Sequence, residues 1–515
     1  MVEGIAALIL SGRLSTAPAP HVPPTATRPD VRATVLRGSR TTALRGFGSG
    51  SMLQVALGVF IGFQLVVINA GGTGPFLDEG IYITAGLRTF DGFGLADGYL
   101  TWFAGSLAWP VVTASAYRIG GLAASRACAL LFVAVGLTTA LQATAELHGR
   151  RVALMSALVL LSWGPALALA HLAVYDTLAI AGVGVALLGV VRLQQRDHRG
   201  WIVLAATSLA IAVVAKYPAL LCAGPLAALV IATRRRRALI DLVVFTIVLA
   251  ALAQMFFLPL REELSAFLTW RLDNDPTFGV TMPMVAAELT WLMAIPLPFA
   301  LAGARIVPAR RTAIALLSGL AVFPMWHLWA GNIVGASKHM VFGAVLAAPL
   351  IGVPLARMST RRSRMPLVAV IAVVLAVGGI AQMRLLDRRW PDTRPAADYL
   401  AEHVDHGDTI LTSNAWTYTA PLYSAGVLGS PWDVYDVYRE RHGQIDGSVC
   451  GFDWFVDEHS GYGWPERVRT AVEACNSYEP VLRSTTPVTD LNHDLRFHTF
   501  AVVTTVWRNT TAERS

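Results

Sequence analysis

Six ionisable residues stand where long apolar runs of the sequence begin or end: Asp78 and Glu79, Arg126, Asp176, Lys216 and Lys338. Adjacent carboxylates just past a membrane crossing are costly unless they face water, a partner charge or a substrate. Asp78 and Glu79 occupy such a place, directly after the first apolar run. Asp176 lies in Val174-Tyr175-Asp176-Thr177, Lys216 opens Lys216-Tyr217-Pro218, and Lys338 precedes His339. Together they suit group transfer from a lipid phosphate, in which a carboxylate takes the proton of an acceptor hydroxyl and cations hold the phosphate leaving group. Each also has a plain structural reading. Asp78 and Glu79 would favour the dipole of a loop helix, Asp176 would cap one, and Lys216, Lys338 and Arg126 would snorkel to the interface. A shared location on one membrane face is what favours chemistry over separate accidents.

The 515 residues are 54% hydrophobic and only 15% charged, with a mean hydropathy of +0.53, too apolar for an ordinary soluble protein. A polytopic α-helical membrane protein follows. With roughly 20 residues per crossing, about eleven spans are expected, at 52–70, 122–145, 152–170, 177–193, 201–215, 218–232, 239–260, 285–304, 312–329, 340–355 and 365–383. Arginine clusters at 150–151, 192–199, 234–237, 305–311 and 357–364 all fall on the side of the basic N-terminal tail, 1–50, which the positive-inside rule places in the cytoplasm. The formal charge of +7 is therefore a topology signal, not a nucleic-acid footprint. Arginines at both ends of 201–232 require a hairpin with Lys216 at its outer turn. The first outer loop, 71–121, is studded with Trp, Tyr, Phe and Leu and broken by Pro110, which points to interfacial helices.

An odd number of crossings puts the tail, 385–515, outside the cell. It is rich in Asp, His, Trp and Tyr, and its patterns give a helix at 395–404, a strand at 409–413, a helix at 465–475 and a strand at 495–503. A small extracytoplasmic α/β domain is expected, following a transmembrane domain at 51–384. Cys450 and Cys475 lie in this tail, in an oxidising compartment where they can form a disulfide, whereas Cys128 and Cys222 sit in apolar spans.

Asp78-Glu79-Gly80-Ile81-Tyr82, Ala85-Gly86-Leu87 and Asp91-Gly92 together resemble the opening motif of the GT-C membrane glycosyltransferases, in particular the protein O-mannosyltransferase and aminoarabinose-transferase-like families. The likeness continues through Arg126, His148-Gly149-Arg150-Arg151, Tyr175-Asp176-Thr177-Leu178-Ala179 and Ala215-Lys216-Tyr217-Pro218. It covers residues 50–230 and beyond them rests on topology alone. The resemblance implies a polyprenyl-phosphate-linked sugar, mannose-like among the candidates, transferred with inversion on the extracytoplasmic face. The acceptor would be a protein, glycan, lipid or exported metabolite. By the same resemblance Asp78 matches the catalytic base, with Glu79 as second choice, and Asp176 the second acidic site. Arg126, Lys216, Tyr217 and Lys338 are the expected donor-phosphate contacts. A divalent cation, Mg or Mn, between Asp78 and Asp176 is the only cofactor the residue types suggest. Where many relatives carry His-Pro-Pro in the first loop, this chain has Ala108-Trp109-Pro110, which bears on donor and acceptor identity. A transporter or lipid flippase is the alternative from another class, but its ionisable residues belong near the bilayer midplane. A membrane anchor displaying the tail domain would leave the Asp78 loop without purpose.

Overall fold

A computed structural model describes residues 49–70, 74–92, 108–234, 237–265, 269, 280–412, 414–429, 433–436, 449–458, 466–491 and 494–511. The N-terminal tail and residues 93–107 of the first loop, both subjects of the expectations above, lie outside them. Residues Ser49–Ser515 form one compact unit.

The membrane part is built from α1 (Ser49–Asn69), α2 (Leu77–Phe90), α3 (Ala108–His148), α4 (Arg150–Leu160), α5 (Gly164–Leu169), α6 (Asp176–Arg196) and α7 (Gly200–Ala215). A 3-10 turn, Tyr217–Cys222, leads into α8 (Ala223–Arg234), α9 (Ala238–Phe257), α10 (Met282–Met293), α11 (Pro296–Ile306), α12 (Arg310–Ala330), α13 (Ala336–Ile351), α14 (Val353–Met358) and α15 (Met365–Asp387). Among the described residues, eight helical segments are long and apolar enough to cross a membrane, or nine if α10 and α11, bent by 67°, count as one span. The expected eleven differ from this at two places. The run 152–170 is broken into α4 and α5 by Ser162-Trp163-Gly164-Pro165, and α7 has only 16 residues.

Burial ranks these helices. The most apolar 18-residue stretch of Ala336–Met358 is wholly buried and that of Asp176–Arg196 is 83% buried, whereas that of Ala238–Phe257 is only 11% buried. An apolar helix exposed on nearly every side belongs against lipid, so α13 and α6 form the centre of the bundle and α9 its rim. Both central helices carry a residue of the expected site in their first turn, Lys338 and Asp176.

A straight helix of 41 residues would be about 62 Å long, twice the hydrocarbon thickness of a bilayer. α3 avoids this by breaking at Gly120 and Gly121, the latter at φ 64°, ψ −157°, a conformation that only glycine adopts readily. The chain then folds back far enough for the Ser125 hydroxyl to donate to the Thr113 carbonyl, twelve residues earlier, at 2.8 Å. The spanning arm starts at Leu122, where the sequence places it. The other arm, residues 108–119, packs against α2.

Polar contacts close the end of the bundle opposite Asp176 and Lys338. Arg192 binds Glu146 at 2.9 Å, Arg234 binds Asp241 at 2.9 Å and also pairs with Asp197, and Arg151 donates to the Ser359 hydroxyl at 3.0 Å. The arginines that alternate in sequence thus gather at one end in space.

α16 (Arg394–His403) leads into the C-terminal domain, with β1 (Ile410–Thr412), α17 (Ala415–Ser424), β2 (Val434–Asp436), β3 (Trp454–Glu458), α18 (Glu466–Ala474), β4 (Tyr478–Leu491) and β5 (Phe497–Asn509). The sheet order is β2-β1-β3-β5-β4, with β1 parallel to β2 and β3 and the rest antiparallel. The helices at 395–404 and 465–475 and the strands at 409–413 and 495–503 are all present, with shifted ends. Cys450 and Cys475 are joined by a disulfide with a Cα–Cα distance of 5.5 Å.

Ligands of open α/β sheets collect at the carboxyl ends of parallel strands. Here that edge carries Asn414 and Glu458, and two residues on, the Trp416 carbonyl abuts α2. A Cβ added to Gly80 would lie 2.4 Å from that oxygen, so only glycine allows the two helices to touch. Tyr423 of α17 also hydrogen-bonds Asp91, just past the end of α2. The domain therefore braces the helix that carries Asp78 and Glu79.

Glu458 is fully buried and accepts hydrogen bonds from Tyr418 and Asn414. Burial pushes its carboxyl above the ordinary value, and these two donors offset only part of the rise. A carboxyl with a raised folded-state pKa stabilises most below its unfolded value, and that contribution is lost as pH rises through the folded value. In detergent, the wild-type melting temperature should therefore fall relative to that of Glu458→Gln as pH rises above the ordinary carboxylate range. Parallel curves for the two proteins would show that Glu458 is not the source.

Candidate active site

The site starts from the first turn of α2. Phe76 precedes the helix, and the Glu79 carboxylate reaches back to accept its backbone N–H at 2.9 Å, the reach of a capping box. Consecutive helical residues point about 100° apart, so Asp78 and Glu79 separate at once. Glu79 turns inward and is fully buried. It accepts Arg126 Nε at 2.9 Å and Nη2 at 2.7 Å, and the Ala173 N–H at 2.7 Å. Arg126 Nη2 also donates to the Gly74 carbonyl at 3.1 Å, and the Gly74 N–H donates to Asp392 at 3.0 Å. Burial alone would raise the Glu79 pKa. The Arg126 charge and hydrogen bonds and the two backbone donors outweigh it and hold the carboxyl below its ordinary value.

Asp78 takes the other direction. Its side chain is 25% exposed and pairs with Lys338 at the start of α13. The Lys338 ammonium also lies 5.0 Å above the Phe76 ring. Asp176, the first residue of α6, is fully buried, and its nearest cation is Lys216 at 3.3 Å. Neither Asp176 oxygen accepts a hydrogen bond. Lys216 follows the last residue of α7 and donates to the Tyr175 hydroxyl at 3.0 Å, 4.4 Å from the centre of the same ring. The Tyr175 ring lies 4.6 Å from that of Tyr82 on α2, which joins the two ion pairs. Lys338 interacts electrostatically with Asp78, Asp176 and Lys216, so the pairs form one four-charge cluster. Burial, followed by the charges of Asp176 and Asp78, pushes the Tyr175 hydroxyl above its ordinary value.

Four expected residues, Asp78, Asp176, Lys216 and Lys338, thus meet from four elements distant in sequence. Glu79 and Arg126 are joined to each other beneath Asp78. Tyr217 begins the 3-10 turn beside Lys216 and is partly buried. Tyr175, Tyr82, His327, His339 and Asp392 were not among the site residues drawn from the sequence. For Tyr175 and His339 the signal was adjacency to Asp176 and Lys338; Asp392 carried none.

A divalent cation between Asp78 and Asp176 would have to compete with Lys338 and Lys216, the ammonium groups already paired with them. Among the described residues no three His, Cys, Asp or Glu side chains are grouped as metal ligands.

A bundle of apolar helices with a charged cluster at one end, braced there by a small mixed sheet, has the architecture of the GT-C membrane glycosyltransferases, and the chain has that fold. The solved structures similar to it include ArnT from Cupriavidus metallidurans bound to undecaprenyl phosphate, with a TM-score of 0.56 and 18% identity over 88% of this chain and 97% of that one. The apo structure of the same ArnT aligns with a TM-score of 0.55 and 15% identity over 88% of this chain and 98% of its own. In sequence the chain matches no family model and no curated protein.

Proposed function

We propose that the chain is a membrane glycosyltransferase that moves a sugar from a polyprenyl-phosphate donor to an acceptor hydroxyl on the extracytoplasmic face. The observation that carries this reading is the cluster of Asp78, Lys338, Asp176 and Lys216, with one partly exposed carboxylate, one buried carboxylate and two ammonium groups. The fold shared with an ArnT structure that holds undecaprenyl phosphate supports it. So does the gathering of arginines at the far end of the bundle, the pattern the positive-inside rule expects if the cluster and the C-terminal domain face outward.

Asp78 is the base because it is the more accessible carboxylate. It takes the proton of the acceptor hydroxyl, and that oxygen attacks the anomeric carbon on the face opposite the phosphate. The bond from that carbon to the phosphate oxygen breaks through an oxocarbenium-like transition state. Its electron pair leaves on the polyprenyl phosphate, and the configuration inverts. Lys338 and Lys216 meet the growing negative charge on the leaving group. Lys338 lies on Asp78 before the donor arrives; the donor phosphate competes for it and so releases the base. Asp176 holds Lys216, and Glu79 and Arg126 fix the first turn of α2 rather than touch the phosphate. Sugars close to mannose head the donor list by resemblance alone.

The direct test incubates purified protein with a panel of polyprenyl-phosphate sugars and measures released polyprenyl phosphate; no release from any of them would sink the reading. Lys216→Ala should raise the KM for the donor at least tenfold. It should also lower the melting temperature, because Asp176 is left buried without its cation. Asp176→Asn added to Lys216→Ala should restore the melting temperature but not the KM. A change confined to acceptor preference would remove Lys216 from the phosphate.

A further inference from the structure

Behind Lys338 lies a pair of buried histidines that the proposed chemistry does not use. His327, near the end of α12, and His339, in the first turn of α13, are 0% and 3% exposed. Their rings stack with centroids 5.2 Å apart, against Trp326, Phe323 and Phe342. His327 Nδ1 lies 2.9 Å from the Asn332 carbonyl, and His327 Nε2 lies 3.0 Å from His339 Nδ1.

A carbonyl oxygen only accepts, so His327 Nδ1 carries a proton and donates it. The ammonium groups of Lys216 and Lys338 both act on the His339 ring, and Lys216 acts on His327 as well. A third positive charge buried beside them would be repelled, so the pair is neutral. Neutral His327 then presents a lone pair at Nε2, and His339 Nδ1 must be the donor to it. The remaining nitrogen, His339 Nε2, is therefore a lone pair. It is shielded from solvent and has no hydrogen-bond partner.

An unpartnered buried acceptor is costly and calls for an explanation. Only a residue without a side chain fits closely beside this one. Gly335 takes φ 71°, and a Cβ there would come within 3.1 Å of His339 Cε1 and 3.4 Å of Nε2. The nitrogen thus faces a bare backbone one turn before its own residue, on the helix whose Lys338 holds Asp78.

We infer that His339 is a specificity-determining residue that accepts a hydrogen bond from a hydroxyl of the donor sugar, with the His327–Asn332 chain fixing its tautomer. The inference rests on the glycosyltransferase reading above and adds to it a contact to the sugar itself. His327 is a positioning residue in this arrangement, because it acts only through His339.

The test uses the full chain in detergent. An asparagine side chain reproduces the Nδ1 position of histidine and lacks an atom at Nε2, whereas glutamine places an amide oxygen near Nε2. With whichever polyprenyl-phosphate sugar of the panel is turned over, His339→Asn should lower kcat/KM roughly 10–100-fold, the scale of one lost buried hydrogen bond. His339→Gln should recover most of it, with melting temperatures close to wild type. One monodeoxy analogue of that sugar should be turned over poorly by the wild type, and His339→Asn should no longer distinguish it from the parent sugar. Independently of turnover, nitrogen NMR of histidine-labelled protein should show His339 Nε2 unprotonated. A protonated Nε2, or His339→Asn kinetics equal to wild type on every analogue, overturns the inference and leaves the glycosyltransferase reading intact. No turnover with any sugar of the panel overturns both.

Discussion

Asp78→Asn is expected to reduce sugar transfer by roughly 10²–10⁴-fold, the range for loss of a positioned general base, while the melting temperature in detergent changes little. The amide has the shape of the carboxylate and can still accept from Lys338, so the first turn of α2 and the start of α13 keep their contact. It cannot take a proton from the acceptor hydroxyl. Donor binding should survive, because the phosphate gains a Lys338 no longer held by a charged partner; the KM for the donor should stay level or fall. Release of polyprenyl phosphate reports the rate and a thermal melt reports the fold. Activity within a fewfold of wild type would remove Asp78 as the base.

The neighbouring residue should behave in the opposite way. Glu79→Ala leaves the Arg126 guanidinium, which is 6% exposed, without its carboxylate, and it strips the Ala173 and Phe76 N–H groups of their acceptor. Breaking a buried ion pair by removing one partner costs about 3–5 kcal/mol. A large drop in melting temperature is expected, with loss of activity following from loss of structure. Glu79→Gln keeps the shape and part of the bonding and should fall between. If Glu79→Ala melted like wild type and was merely slow, Glu79 would be taking part in the chemistry.

This division between adjacent carboxylates was only partly legible in the sequence. The alternation of arginines placed Asp78, Asp176, Lys216 and Lys338 at one end of the bundle, because topology depends on charge and hydropathy, which are local properties. The fold-back at Gly120-Gly121 was legible for a similar reason, since a span starting at Leu122 kept the arginine clusters aligned. Arg126 read as a phosphate contact because its partner could not be seen: the Glu79–Arg126 pair joins residues 47 apart. The histidine pair escaped because two helices must be packed before His327 and His339 touch. In the C-terminal domain the amphipathic helices were found from their period. β2 has only three residues, and three residues carry no alternation to detect. β3, at 454–458, is buried at four of its five positions, so it lacks the polar and apolar rhythm of a half-exposed strand.

The contacts that complete the site span most of the polypeptide. Asp78 meets Lys338 across 260 residues, and Gly74 meets Asp392 across 318. At about 5–20 residues per second, the ribosome needs on the order of tens of seconds to deliver Lys338 after Asp78 has been made. The brace at Gly80 comes later still. A nascent chain has its carboxylate already at the membrane surface but lacks the ammonium beside it and the domain that steadies it. A chain that stops before Lys338 therefore lacks both the cation that pairs with Asp78 and the contact that braces α2 at Gly80.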